Sequence, residues 1–280
     1  MANRRAGRRQ EREERKHLFL GVMILLLLFL ACAGGGYWWW INQSHLDERL
    51  CPKDGPLGHT ILLIDKTDPP SLIQKSALNQ LLAEVAQRHA ASFKVPGGAE
   101  HPVKVGELLS IFVLGEDYKK SPEPIFSRCN PGLGSDASIF LANPKRLESI
   151  YQREFDDRLN AVRDQLFAVT PSKWSPIMEM FQLVAINGFK RSATGGSRRL
   201  IVVSDMLHNT PQYTFFKQQQ DFEAFSKTTY FQQIRTDLPQ VSVEMRYLMY
   251  SPTLQTNSLT YFWEAYFKAM GGSLTSAKPL

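Results

Sequence analysis

Two short aliphatic runs, each stopped by an aspartate, constrain the fold of this chain more than any other feature. "TILLID" (60–65) and "RRLIVVSDM" (198–206) each contain four consecutive aliphatic residues with no polar alternation. Strands covered on both faces read this way, because neither side of the pleat meets water. Amphipathic stretches at helical spacing lie between and after them, which predicts a doubly wound, mostly parallel α/β sheet with helices on both faces. In such a sheet the crevice beyond the carboxyl ends of the strands is where ligands bind, so Asp65 and Asp205 are expected at one mouth.

Around these runs the pattern alternates. "SLIQKSALNQLLAEVAQRHA" (71–90) is an amphipathic helix carrying Leu72, Leu78, Leu81, Leu82 and Val85, and Pro70 suits its start. "VGELLSIFVLG" (105–115) is a second strand, and "EPIFSRCN" (123–130) a short antiparallel edge strand. Residues 144–169 and 175–188 read as helices, 186–199 as the most flexible loop, and 217–235 as a polar helix. A strand at 241–249 precedes a last helix capped by Gly271 and Gly272, whose Phe262, Trp263, Tyr266 and Phe267, flanked by Tyr261, form its core face.

The N-terminus is of another kind. Residues 18–41 contain no charged side chain. Their 24 positions make a helix of about 36 Å, enough to cross a hydrocarbon core of about 30 Å. Seven basic and three acidic residues precede the run, so +4 of the formal +6 charge sits there. The positive-inside rule keeps that flank cytoplasmic, and Tyr37, Trp38, Trp39 and Trp40 supply an aromatic belt at the opposite interface. The expected organisation is a basic cytoplasmic tail (1–17), a transmembrane helix (18–41), a linker (42–58) and an extracytoplasmic, periplasmic-type domain (59–280). Two processing alternatives stay open: "ACA" before Gly34 resembles a signal-peptidase site, and "FLAC" ending at Cys32 loosely resembles a lipoprotein box. Beyond the span, 26 basic residues face 24 acidic ones with no basic stripe among interleaved aromatics, which argues against a nucleic-acid partner. In an oxidising compartment Cys51 and Cys129 are expected to form a disulfide.

Three segments converge on the predicted mouth. Asp65 and Thr67 close the first strand, Ser175 opens the helix "SPIMEM", and Asp205 closes a central strand. Two carboxylates and two hydroxyls are hard oxygen donors and suit Mg²⁺, Mn²⁺ or Ca²⁺. Here the chain resembles the von Willebrand factor A family. "DKTDP" is similar to its Asp-x-Ser/Thr-x-Ser turn, "SPIMEM" to its later hydroxyl-bearing helix start, and "IVVSDMLHN" to its second aspartate-ended strand. The resemblance spans residues 58 to about 272 and implies a metal-ion-dependent adhesion site, with Asp65, Thr67, Ser175 and Asp205 as ligands. It implies further that the ion bridges to an acidic group of a protein partner, and that Asp68, Met206, Leu207 and His208 rim the contact. Pro69 stands where the family has a second serine, so Asp68 or Ser71 substitutes, or the site is weakened or empty.

No Gly-x-Ser-x-Gly elbow, phosphate loop or zinc-spaced His/Cys cluster occurs, and Thr67 occupies the position where an aspartyl phosphatase has its general acid. The expectation is therefore a membrane-anchored interaction module, a subunit of an envelope-associated complex, and not an enzyme. A metal-dependent hydrolase or phosphoesterase and a purely structural assembly subunit are the alternatives.

Overall fold

A computed structural model describes residues 20, 22–37, 46–86, 102–115, 123–134, 144–167, 172–192 and 194–280. Its centre is one six-stranded sheet in the order β3-β2-β1-β4-β5-β6. The strands are β1 (His59–Asp65), β2 (Leu108–Leu114), β3 (Phe126–Cys129), β4 (Arg198–Ser204), β5 (Val241–Tyr247) and β6 (Ser273–Pro279). All neighbours are parallel except β3, which runs antiparallel to β2 at one edge. β1 pairs with β2 on one side and β4 on the other, and every one of its residues is buried, which is why its sequence shows no alternation.

Helices lie on both faces. Chain order gives α1 (residues 22–37), α2 (Leu72–Val85), α3 (Pro144–Ile150), α4 (Asp157–Phe167), α5 (Ile177–Leu183), α6 (Phe222–Ser226), α7 (Thr229–Ile234) and α8 (Asn257–Ala269). Against one face, α5 to α8 pack Met178, Phe181, Phe225, Phe231 and Trp263 on Ile61, Leu63, Leu200 and Val202. Against the other, α2 and the α3–α4 run pack Leu78, Leu82, Tyr151 and Phe155 on Leu62, Ile64, Ile201 and Val203. Alternate residues of each central strand therefore feed two separate cores, as the period of two requires.

Several boundaries differ from the sequence expectation for local reasons. The 144–169 helix passes through a π-helical turn, Tyr151–Asp156, between α3 and α4. The helix expected at 175–188 begins at Ile177 and continues through a second π-helical stretch, Val184–Lys190. The glycine-rich 186–199 stretch is thus partly helix, and Gly188 is there for contact: a Cβ would come within 2.4 Å of Ile61 Cδ1. The single polar helix expected at 217–235 is two short ones, because Thr228 caps α7 by accepting from the Phe231 N–H. β6 was not expected. Its sequence, SLTSAKP, lacks an aliphatic run because an edge strand meets water, and Lys and Pro are the residues that protect such an edge.

The disulfide joins Cys51 to Cys129, tying the segment before β1 to edge strand β3. α8 ends as expected: Gly271 adopts φ 82°, and the Gly272 N–H reaches back to the Phe267 carbonyl. Tyr261 points to solvent while Phe262, Trp263, Tyr266 and Phe267 are buried. Part of the expected 18–41 span falls in α1, where Leu25 to Leu30 are exposed. Among the described residues no helix is long and apolar enough to cross a membrane. The basic flank, Trp38, Trp39 and Trp40 lie outside the described residues.

Candidate functional site

The sheet reverses its winding between β1 and β4, since the chain goes outward from β1 to β2 and then returns to lay β4 on β1's other side. That switch point opens a crevice at the carboxyl ends of both strands. Asp65 is the last residue of β1, and Asp205 follows the last residue of β4.

Asp65 is the hub. Its Oδ1 accepts from the Thr67 amide at 3.0 Å and the Thr67 hydroxyl at 2.7 Å. Its Oδ2 accepts from the Ser204 hydroxyl at 2.8 Å and the Ser175 hydroxyl at 3.1 Å. The first pair is an Asx-type turn that sends the chain away from the strand. The second joins β1 to β4 and to the start of α5. Ser175 is brought in by a two-way backbone bridge with Asn209, whose amide donates to the Ser175 carbonyl at 3.0 Å while the Ser175 amide donates to the Asn209 carbonyl at 2.8 Å. All of Asp65, Thr67, Ser175, Ser204 and Asp205 are buried.

Asp205 sits beside this hub. Its Oδ1 accepts from the Leu207 amide at 2.9 Å, and its backbone carbonyl accepts from Gln255 Nε2 at 2.9 Å. The next residue, Met206, has a left-handed φ of 61°, uncommon for a side chain of its size. It is held there from both ends: its amide donates to the Ser204 hydroxyl, and its carbonyl accepts from the Trp263 indole at 3.0 Å.

Burial raises the pKa of both carboxyl groups, and for Asp205 the neighbouring charge of Asp65 adds to the shift. At Asp65 the hydroxyl and amide donors of Thr67, Ser204 and Ser175 oppose the rise. Asp68 is also raised, by partial burial and by Asp65. The two buried carboxyl groups therefore resist ionising together, and among the described residues neither forms an ion pair with a basic side chain.

The structure brings all four predicted ligand residues, Asp65, Thr67, Ser175 and Asp205, to one place. It also adds Ser204, which was not predicted. Strand register held that signal: Ile64 lies opposite Val203, so the next step places Asp65 opposite Ser204. The expected rim requires correction. Asp68 is exposed, but Met206, Leu207 and His208 are buried. The chain turns inward after Asp205, so these three are core residues and not a rim.

His208 is a core residue and not an exposed loop histidine. Its Nδ1 accepts from the Met178 amide at 3.3 Å, and its Nε2 lies 3.0 Å from the Tyr230 hydroxyl, which donates to Glu179 Oε1 at 2.6 Å. Those partners fix the proton on Nε2. Desolvation lowers the ring's pKa to about 3.

Ser71 does not replace the missing oxygen at Pro69. Its hydroxyl accepts from the Gln74 amide as the N-cap of α2, and Gln74 Oε1 accepts from the Ser71 amide in return. Nor do His, Cys, Asp and Glu alone suffice: among the described residues no three such side chains are placed to hold a metal ion. An ion here would rest on two carboxylates plus hydroxyls. Thr67 and Ser175 fit that role, because each spends its one proton on Asp65 and keeps oxygen lone pairs for a cation. The oxygen-only donor set fits Mg²⁺, Mn²⁺ or Ca²⁺.

No protein-family model matches the chain, and no curated protein matches it. Among solved structures it is similar to the SpRpn10 VWA domain, with a TM-score of 0.37 and 10% sequence identity over 80% of this chain and 89% of that chain.

Proposed function

We propose that this chain is a membrane-anchored von Willebrand A-like interaction module that takes an acidic group of a protein partner through a divalent cation. The observation that carries the reading is the convergence of Asp65, Thr67, Ser175 and Asp205 at the switch point of the sheet. The three sequence segments that resemble the family supply those residues, in the family's order. The cation would supply positive charge for the partner's carboxylate; Asp65 and Asp205 would balance its charge, and Thr67 and Ser175 would add hydroxyl oxygens.

A binding role accords with the protonation chemistry. A histidine that served a hydrolase as general base would have to be free and titrate near neutrality. His208, three residues after Asp205, has its Nδ1 engaged by the Met178 amide while burial keeps its pKa near 3. Anchoring is supported by the uncharged 18–41 run, the basic flank before it and the exposed apolar surface of α1. The Cys51–Cys129 disulfide suits a domain on the oxidising side of the membrane.

The test is isothermal titration of Mg²⁺, Mn²⁺ and Ca²⁺ into the detergent-solubilised full chain, with Asp205→Ala as the control. Saturable binding that the substitution abolishes is expected. Absence of binding at millimolar ion, or equal binding by the Asp205→Ala protein, refutes the metal site and leaves the structural-subunit reading. Metal-dependent turnover of a phosphoester substrate that Asp205→Ala abolishes would favour the hydrolase instead.

A further inference from the structure

Pro69 carries no side-chain oxygen where the motif it resembles has one; Ser71 is spent on its helix cap, and of the two expected substitutes Asp68 remains, exposed beside Asp65. The loop after β5 offers a different group. Tyr250 packs its ring against the core that holds Ile64 and Val203, while its hydroxyl oxygen is buried with no hydrogen-bond partner among the described residues. Buried hydroxyls are normally paired, and an orphaned one calls for an explanation.

The loop that carries it is built to a fixed position. Gln255 Oε1 accepts from the Tyr250 and Ser251 amides, both at 2.8 Å, and the same side chain's Nε2 donates to the carbonyls of Asp205 and Leu248, both at 2.9 Å. The Leu248 amide in turn donates to the Ser204 carbonyl. One glutamine thus registers Tyr250 directly on the residue that bears the second carboxylate. Burial, followed by the charges of Asp68, Asp205 and Asp65, pushes the phenol up to about 12, so it remains a proton donor at neutral pH. It bonds to none of the three carboxylates that bear on it.

We infer that Tyr250 is a positioning residue of the crevice, its hydroxyl donating to an oxygen that arrives with the cation. That oxygen is a water of the ion's own shell when the cation is alone, because small divalent cations keep several waters. The inference rests on the cation-binding reading above, and it goes beyond that reading by adding a residue outside the motif.

Tyr250→Phe removes one oxygen and leaves the ring. The experiment is Mn²⁺ titration by calorimetry on the full chain and on Tyr250→Phe, together with thermal melts of both in chelator. The expected result has opposite signs in the two measurements. Affinity for Mn²⁺ falls about 10-fold, the scale on which partners outside the ligand set act, and the melting temperature in chelator holds or rises because an unpaired buried group is gone. Equal Mn²⁺ affinity in the two proteins overturns the inference and leaves the cation site standing. A lower melting temperature in chelator also overturns it, since the hydroxyl then has a partner in the empty protein. If the unaltered chain binds no Mn²⁺, the cation site and the inference fall together.

Discussion

Replacing His208 with glutamine should remove a defined part of the protein's acid sensitivity. The ring is completely buried, its Nδ1 accepts from the Met178 amide, and the nearest anionic atom, Glu179 Oε2, lies 3.9 Å away. Protonating Nδ1 would break the Met178 contact and place a charge where no water reaches it, so the folded-state pKa drops to about 3 from the ordinary 6.5. As pH falls, the unfolded chain takes up this proton first. Stability is therefore unaffected above about pH 6.5 and is lost between about 6.5 and 3, at about 1.4 kcal/mol per pH unit. From pH 7.5 to 5.0 the histidine titrates over about 1.5 units, which costs about 2 kcal/mol. Glutamine does not titrate. Urea unfolding of the full chain and of His208→Gln at both pH values should show the unaltered protein losing about 2 kcal/mol more than the variant. Taking the difference cancels the other titrating groups, including Asp65 and Asp205, whose raised values act in the opposite sense. Parallel pH profiles would refute the reasoning, whatever the variant's absolute stability.

Ser71→Ala should cost about 1 kcal/mol of stability, the usual loss for an N-cap, and leave Mn²⁺ affinity unchanged, because its hydroxyl serves the Gln74 amide; a drop in affinity would restore Ser71 to the site. Cys129→Ala should destabilise the domain by roughly 4 to 5 kcal/mol on the chain-entropy model, given the separation of 78 residues between the bridged cysteines. Non-reducing gels and chemical denaturation check this, and an unchanged midpoint would show that the bridge does not form.

The parts of the fold legible in sequence were those buried on both sides. β1 and β4 announce themselves because nothing polar interrupts four consecutive aliphatics, and Cys51 and Cys129 could be paired from compartment reasoning alone. β6 was hidden because an edge strand has half its surface in water and so keeps polar residues. The π-helical turns left no signature, since they shift the helical register by one residue without breaking the apolar face. In the site, the residues that terminate strands were readable. Ser204 needed the register between β1 and β4, and His208 needed the direction in which the chain leaves β4. Tyr250 depends on Gln255, a contact between loops that no periodicity encodes.

The clamp at the base of the sheet also decides how the domain bears a mechanical load. Residues 46–52 form a closed turn, with Leu46 bridged to Pro52, and that turn is fastened to edge strand β3 by the disulfide, by the Cys129 amide on the Arg49 carbonyl, and by Arg128 on the Glu48 carbonyl. Tension applied to the chain before residue 46 would meet a covalent crosslink before it meets β1. Part of that load would pass through the disulfide into β3 and its pairing with β2, and the rest along residues 52–58 into β1. Asp65 lies at the end of β1 away from this clamp, so a load shared between the two paths would strain the edge of the sheet as well as its central strand.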